Sequence, residues 1–186
     1  MLNLNPSLQA KIGFVWEFDC IDSTNQFLLD QKASLEAEAA QGHFKGYALC
    51  LADQQTAGRG RLGRLWQSPP GLNIYLSISY FLKSEQSRLE ATQIPDLSLE
   101  IGEKIINVLE GLGVQGLSLK WPNDVYLNQK KLAGILIETR RNYVVLGIGL
   151  NVGKNNLEID QPWTDLSEYP NLSRETIIQN LLEVLL

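Results

Sequence analysis

The chain has 186 residues, a formal net charge of −5 and a hydrophobic fraction of 44%. This length supports one domain, or two small ones, with a core that needs no staples, and a pI near 4.9 argues against general nucleic-acid binding. Two distant cysteines, Cys20 and Cys50, suggest neither a disulfide framework nor a zinc motif, and no apolar run reaches the ~20 residues of a membrane helix. The expectation is a cytoplasmic protein with reduced thiols and no membrane attachment. His43, the one histidine, falls in a Gly-rich turn, so Ser-His-Asp chemistry is nearly excluded.

In chain order, residues 14–19 are aromatic and β-branched and predict a strand. Asp22, Ser23 and Thr24 offer caps for a helix running to about Lys32. A turn at 41–46 leads to a buried strand at 47–52, and a further strand is predicted at 73–81. The polar stretch 83–96 reads as a mobile connection. Leu97, Ile101, Ile105, Val108 and Leu112 recur at helical spacing, and Gly111 and Gly113 stop that helix. A strand at 117–121 is broken by Pro122; 125–127 and 131–138 form a hairpin around Asn128, Gln129 and Lys130; 143–152 is the last clear strand. Residues 155–172 look irregular, and Ser173 caps a final helix running to Leu186. Strands and helices mix without regular β-α-β alternation, which favours α+β, a mixed sheet with helices mainly on one face.

Five stretches carry chemistry. Residues 58–64 pack Gly58, Gly60 and Gly63 among Arg59, Arg61 and Arg64, with Trp66 just behind. Glycines let backbone approach a ligand, and arginines offer forked donors for phosphate and carboxylate oxygens. The others are Asp22-Ser23-Thr24-Asn25, Lys120-Trp121-Pro122-Asn123-Asp124, Lys131-Leu132-Ala133-Gly134-Ile135, and Gly147-Ile148-Gly149-Leu150-Asn151. Each alone has a plain structural reading: Ser23 and Thr24 as caps, Gly147 and Gly149 as packing sites, Trp66 as core, Lys120 as a surface lysine, the arginine loop as a solvated turn or a generic phosphate clamp.

Together and in this order they resemble the catalytic domain of biotin protein ligases, which carries a Ser-Thr-Asn helix start, Gln-Thr-Ala-Gly-Arg-Gly-Arg-x-Gly-Arg-x-Trp (here from Gln55), Lys-Trp-Pro-Asn-Asp, Lys-Leu-Ala-Gly-Ile and Gly-x-Gly-x-Asn. The resemblance runs from about Phe14 into the last helix. Leu62 departs from it, standing where many relatives have arginine. The resemblance implies a fold of the biotin ligase, lipoate ligase and class II aminoacyl-tRNA synthetase type. It also implies a single catalytic domain over 1–186, with no DNA-binding domain before it and no small β-barrel after it.

By that resemblance the reaction joins biotin to ATP as biotinyl-5′-AMP and then acylates a lysine of a biotin carboxyl carrier protein or domain, as in acetyl-CoA carboxylase. Lys120, Arg59 and Arg61 are the implied catalytic residues, cancelling the repulsion between carboxylate and α-phosphate. Ser23, Thr24, Asn25, Gln55, Gly58, Arg59, Gly60, Arg61, Lys120, Gly147 and Gly149 are the implied biotin contacts. Arg59, Arg61, Arg64, Trp66, Lys120 and Asn151 are those for ATP or the adenylate. Mg²⁺ is expected to arrive on the phosphates rather than in a protein cage. No nucleic-acid partner is implied, and a homodimer is within what the resemblance allows. The Gly-rich loop is expected to order over biotin or the adenylate. Two rival readings stay open: a lipoate or octanoate transferase on the same fold, and a non-catalytic biotin- or adenylate-binding protein.

Overall fold

Strands that alternate large apolar with small or polar side chains build the centre of the molecule, a mixed sheet with two unlike faces. The structure, a computed structural model, describes residues 2–83, 89–153 and 161–186. Among these residues the sheet has seven strands: β1 (Ile12–Phe18), β2 (Tyr47–Ala52), β3 (Ile74–Phe81), β4 (Leu117–Lys120), β5 (Asp124–Leu127), β6 (Lys130–Arg140) and β7 (Tyr143–Leu150). Their spatial order is β1-β2-β3-β7-β6-β5-β4. Only β1 and β2 run parallel; every other pairing is antiparallel. The β5–β6 hairpin turns on Asn128 and Gln129, both at positive φ, the geometry of a tight hairpin turn.

The helices are α1 (Pro6–Lys11), α2 (Thr24–Asp30), α3 (Lys32–Ala40), α4 (Ile94–Gly111) and α5 (Arg174–Leu185). Leu49, Leu51, Leu76, Ile78, Ile135, Ile137, Leu146 and Ile148 turn to one face, where they form the main core with α1, α4 and α5. The expected concentration of helices on one face holds for these three. On the opposite face α2 and α3 bring Leu28, Leu29 and Leu35 against Ala48, Cys50, Tyr143 and Val145, ringed by Phe14, Trp16, Phe18, Phe27, Phe44 and Phe81. That second core covers only part of its face. Further along β3, β7 and β6 the same face carries Ser77, Gly147, Gly149 and Gly134, cross-strand neighbours whose small size leaves room for Asn25 of α2 and for the Trp66 ring. This stretch is the floor of the site.

Three local readings are corrected. Ile94, Pro95 and Asp96 open α4 rather than closing a mobile connection, because proline in the first helical turn lacks only an N–H that would have no partner there. The sequence pattern does not predict helix α3, which buries Leu35 and is otherwise largely alanine and glutamate, so that it presents no apolar stripe. Helix α1, capped by the Asn5 side chain, was also missed. The other parts of the stretches at 83–96 and 155–172 include residues 84–88 and 155–160, which lie outside the described residues.

Cys50 is fully buried in the second core, and burial, with Asp22 nearby, pushes its thiol up to about 12. Folding therefore favours the protonated thiol. This contribution is fully present below the ordinary value of 9.0 and is lost as pH rises towards about 12. Cys20 is exposed and free. A thiol reagent at about pH 8 is expected to modify one cysteine of the native chain quickly and the second only on unfolding. Fast modification of both in the native chain, counted by mass spectrometry, would contradict the packing of Cys50.

Candidate functional site

The N-terminus of α2 forms one wall. Ser23 is its N-cap, accepting from the Gln26 amide at 3.3 Å. Thr24 follows, donating its backbone N–H to Gln55 Oε1 at 2.9 Å. Gln55 donates in turn to Ser68 Oγ at 2.8 Å, and Ser68 donates to the Trp66 carbonyl at 3.0 Å. Ser77 Oγ stands 2.8 Å from Thr24 Oγ1 and 2.6 Å from Asn25 Oδ1. Asn25 Nδ2 donates to Glu138 Oε2 at 3.0 Å. One polar chain thus crosses the site from β6 to the basic loop, and Thr24, Asn25, Ser68 and Ser77 are all buried along it. Buried polar groups joined this way hold a fixed orientation.

The basic loop is the roof. It folds back as a hairpin with bridges between Gln55 and Ser68 and between Arg59 and Leu65. Gly60 donates to the Arg64 carbonyl at 2.8 Å, and Trp66 donates to the Gly58 carbonyl at 2.9 Å. A side chain at Gly58 would meet the Trp66 carbonyl oxygen at 2.3 Å, so only glycine fits that crossing. Leu62, at the tip, is left-handed and 87% exposed, so it takes no part in the cavity. Arg59 donates to Gln26 and to Glu138, and Arg61 reaches Asn123 Oδ1 at 3.5 Å. Trp66 lies flat on the floor: a β-carbon at Gly149 would stand 2.4 Å from its ring, and one at Gly134 2.8 Å.

The far end of the cavity comes from Asp124, Lys131, Asn151 and Trp163. Lys131 Nζ pairs with Asp124 Oδ2 at 2.8 Å and sits 5.3 Å from the Trp66 ring centre. Asn151 is fixed by donating its side-chain N–H to the Thr164 carbonyl at 3.1 Å. Trp66 Nε1, Asp124 Oδ1 and Asn151 Oδ1 are buried without a hydrogen-bond partner. All three residues line this one cavity of about 190 Å³. Buried polar atoms in folded proteins nearly always find partners, so an unpaired donor and two unpaired acceptors around one space point to a ligand that brings both kinds of group.

The structure therefore gathers Ser23, Thr24, Asn25, Gln55, Arg59, Gly60, Arg61, Arg64, Trp66, Gly147, Gly149 and Asn151 around one cavity. Gly58 shapes the roof from outside that lining. Lys120 also stands outside it. It is exposed at the edge strand β4, with its Nζ donating to the Tyr126 hydroxyl at 3.0 Å. The register still sets Lys120 opposite Asp124, and Asp124 opposite Gly134, so Lys120 shares the cavity's face of the sheet. The Tyr126 hydrogen bond is the first cause raising its pKa above the ordinary lysine value. Glu138, Asp124, Lys131 and Trp163 were not picked from the sequence as site residues. Asp124 and Lys131 lay inside the motifs quoted above, and Glu138 signals itself as a charge at the end of the apolar run Ile135-Leu136-Ile137. Among the described residues no group of three or more His, Cys, Asp or Glu side chains could hold a metal ion, and no helix is long and apolar enough to cross a membrane.

Fold and cavity together define a small-molecule site with a cationic roof and a polar head wall. The chain belongs to the Biotin/lipoate A/B protein ligase family, which it matches over residues 17–155. The "Bifunctional ligase/repressor BirA" of Escherichia coli (strain K12) is 40% identical over 182 residues, covering 93% of this chain and 52% of that protein. The "Biotin--[acetyl-CoA-carboxylase] ligase" of Mycobacterium tuberculosis is 37% identical over 142 residues, covering 72% of this chain and 50% of that protein. The chain thus spans about half the length of these relatives. Among solved structures, a biotin protein ligase from Aquifex aeolicus in complex with biotin and ATP superposes with a TM-score of 0.71. It is 29% identical and covers 91% of this chain and 67% of that one.

Proposed function

We propose that the chain works as an ATP-dependent biotin protein ligase, forming biotinyl-5′-AMP and then passing biotin to a lysine of a carrier domain. The observation that carries this reading is the cavity itself: a glycine floor, an arginine hairpin above it and three unpaired buried polar atoms at one end. The ureido ring of biotin and the adenine and ribose of ATP each bring donors and acceptors together. The E. coli and M. tuberculosis relatives are named as ligases, and the Aquifex protein holds biotin and ATP.

A carboxylate approaching an α-phosphate meets like charge. Arg59 and Arg61 project from the roof where cationic donors would screen that repulsion, and Lys120 supplies a compact ammonium from the sheet edge. In this reading Ser23, Thr24, Asn25 and Gln55 hold the biotin head, with Gly147 and Gly149 leaving room for its bicycle. Trp66, Arg64 and Asn151 face the nucleotide. Closure of the hairpin keeps water from the mixed anhydride. Mg²⁺ fits as an ion borne by the phosphates, since Asp124 Oδ1 and Asn151 Oδ1 are hard oxygen donors without a partner; when bound it neutralises phosphate charge. A biotin carboxyl carrier domain is the proposed acceptor and the cytoplasm the proposed location, in keeping with two free cysteines.

The test is mass spectrometry of the product after mixing the chain with biotin, ATP and Mg²⁺, beside a parallel reaction with lipoate. Biotinyl-adenylate without lipoyl-adenylate is the expected result. Biotin bound but never adenylated would replace catalysis by simple binding, and lipoyl-adenylate would move the substrate to the other branch of the family.

A further inference from the structure

We propose that Glu138 is the catch that holds the arginine hairpin over the cavity, and that the carboxylate of the incoming substrate displaces it from Arg59. The catch stands on geometry alone; only the identity of the displacing ligand rests on the ligase reading.

Glu138 lies on the cavity face of β6 and its side chain is only 20% exposed. A carboxylate there needs partners to offset its lost hydration. It has two, from different elements. One oxygen accepts from Arg59 on the roof, and the other accepts from Asn25 at the start of α2. The remaining fork of Arg59 donates to Gln26, also on α2. Roof, helix and sheet are thus tied together at one side chain, and both terminal nitrogens of Arg59 are already engaged.

Two physical consequences follow. The cavity of about 190 Å³ is smaller than the roughly 300–1,000 Å³ of ordinary small-molecule sites, and it adjoins a second hollow of about 750 Å³ lined by Gln26, Arg59 and Glu138, so a ligand that extends from one into the other passes the Arg59–Glu138 contact. Raising the hairpin breaks that contact. A ligand carboxylate offers Arg59 the same forked geometry that Glu138 offers. Two carboxylates on one guanidinium repel each other, so the ligand replaces Glu138 rather than joining it. A neutral ligand of the same shape has no such means of opening the roof. Glu138 thereby makes entry selective for an acid head over its amide.

Glu138→Gln separates charge from shape, since glutamine keeps the length and an acceptor for Asn25. Two readouts decide. In the protein alone, hydrogen exchange at the amides of residues 58–66 is expected to quicken about five-fold, the worth of one half-exposed ion pair; an unchanged loop overturns the catch. In calorimetric titration, biotin is expected to bind about five-fold more tightly to Glu138→Gln, and neutral biotin amide is expected to gain less. Biotin binding that is unchanged or weaker overturns the displacement. If neither protein binds biotin, the ligase reading falls while the exchange data still judge the catch. Should Glu138→Gln fail to fold, Glu138→Asp keeps the charge but draws it back from Arg59 by one methylene. Loop exchange is then expected to rise and biotin to bind more tightly, and an unaltered loop again overturns the proposal.

Discussion

Lys120→Ala is expected to slow adenylate formation by about two to three orders of magnitude, the usual loss when one preorganised group is taken from a developing negative charge. The residue sits at the end of an edge strand, where neither core depends on it, so the variant should fold and melt like the parent. Its ammonium is fixed by the Tyr126 hydroxyl and shares the cavity's sheet face with Asp124 and Gly134. Tyr126 is also the first cause of its raised pKa, so the charge persists through the whole neutral and mildly alkaline range. Initial rates of biotinyl-adenylate formation, read with a separate biotin titration, test this. A fall confined to biotin affinity would make Lys120 a binding residue only, and a loss under tenfold in rate would remove it from the reaction. Tyr126→Phe supplies a finer check. It should leave the rate at about pH 7 unchanged and bring any alkaline decline to lower pH, because the hydrogen bond that raises the lysine's pKa is gone.

Lys120 also illustrates what is legible in a linear sequence. Its motif was plain, but the sheet edge that carries it, and the tyrosine six residues on that holds it, arise from pairing between strands. Strand positions were readable because alternation is local. The order β1-β2-β3-β7-β6-β5-β4 was not, since β7 inserts between β3 and β6 through contacts far apart in sequence. Helix α4 was legible from its apolar spacing; α3 was hidden because alanines and glutamates give no stripe even when Leu35 is fully covered. The glycines and arginines of the site were visible as composition. Glu138 and Lys131 were not, because each is a single charge whose meaning depends on what stands across from it: Arg59 and Asn25 for one, Asp124 and Trp66 for the other.

The two floor glycines should respond differently to the same added methyl group. A β-carbon at Gly147 would lie 2.1 Å from Asn25 Oδ1 and 2.9 Å from its Cγ. Asn25 cannot step aside without loss. Its amide is buried, its Nδ2 donates to Glu138 and its Oδ1 lies 2.6 Å from Ser77 Oγ. Gly147→Ala is therefore expected to lower stability by about 1–3 kcal/mol, as overpacking of a close-fitted interior does, and to weaken biotin binding at least tenfold by turning the Asn25 wall. At Gly149 the obstacle is the Trp66 ring, at 2.4 Å. Trp66 hangs from the roof hairpin, is only half-buried and has an indole N–H with no partner to lose. Gly149→Ala should push the ring off the floor for less than about 1 kcal/mol while still disturbing the nucleotide end of the cavity. Thermal midpoints, which move by about 2–4 °C per kcal/mol in a chain of this size, separate the two cases. A Gly147→Ala protein that melts and binds biotin like its parent would mean that Asn25 yields freely, and the polar chain from Glu138 to Gln55 would then not be the rigid wall that its hydrogen bonds describe.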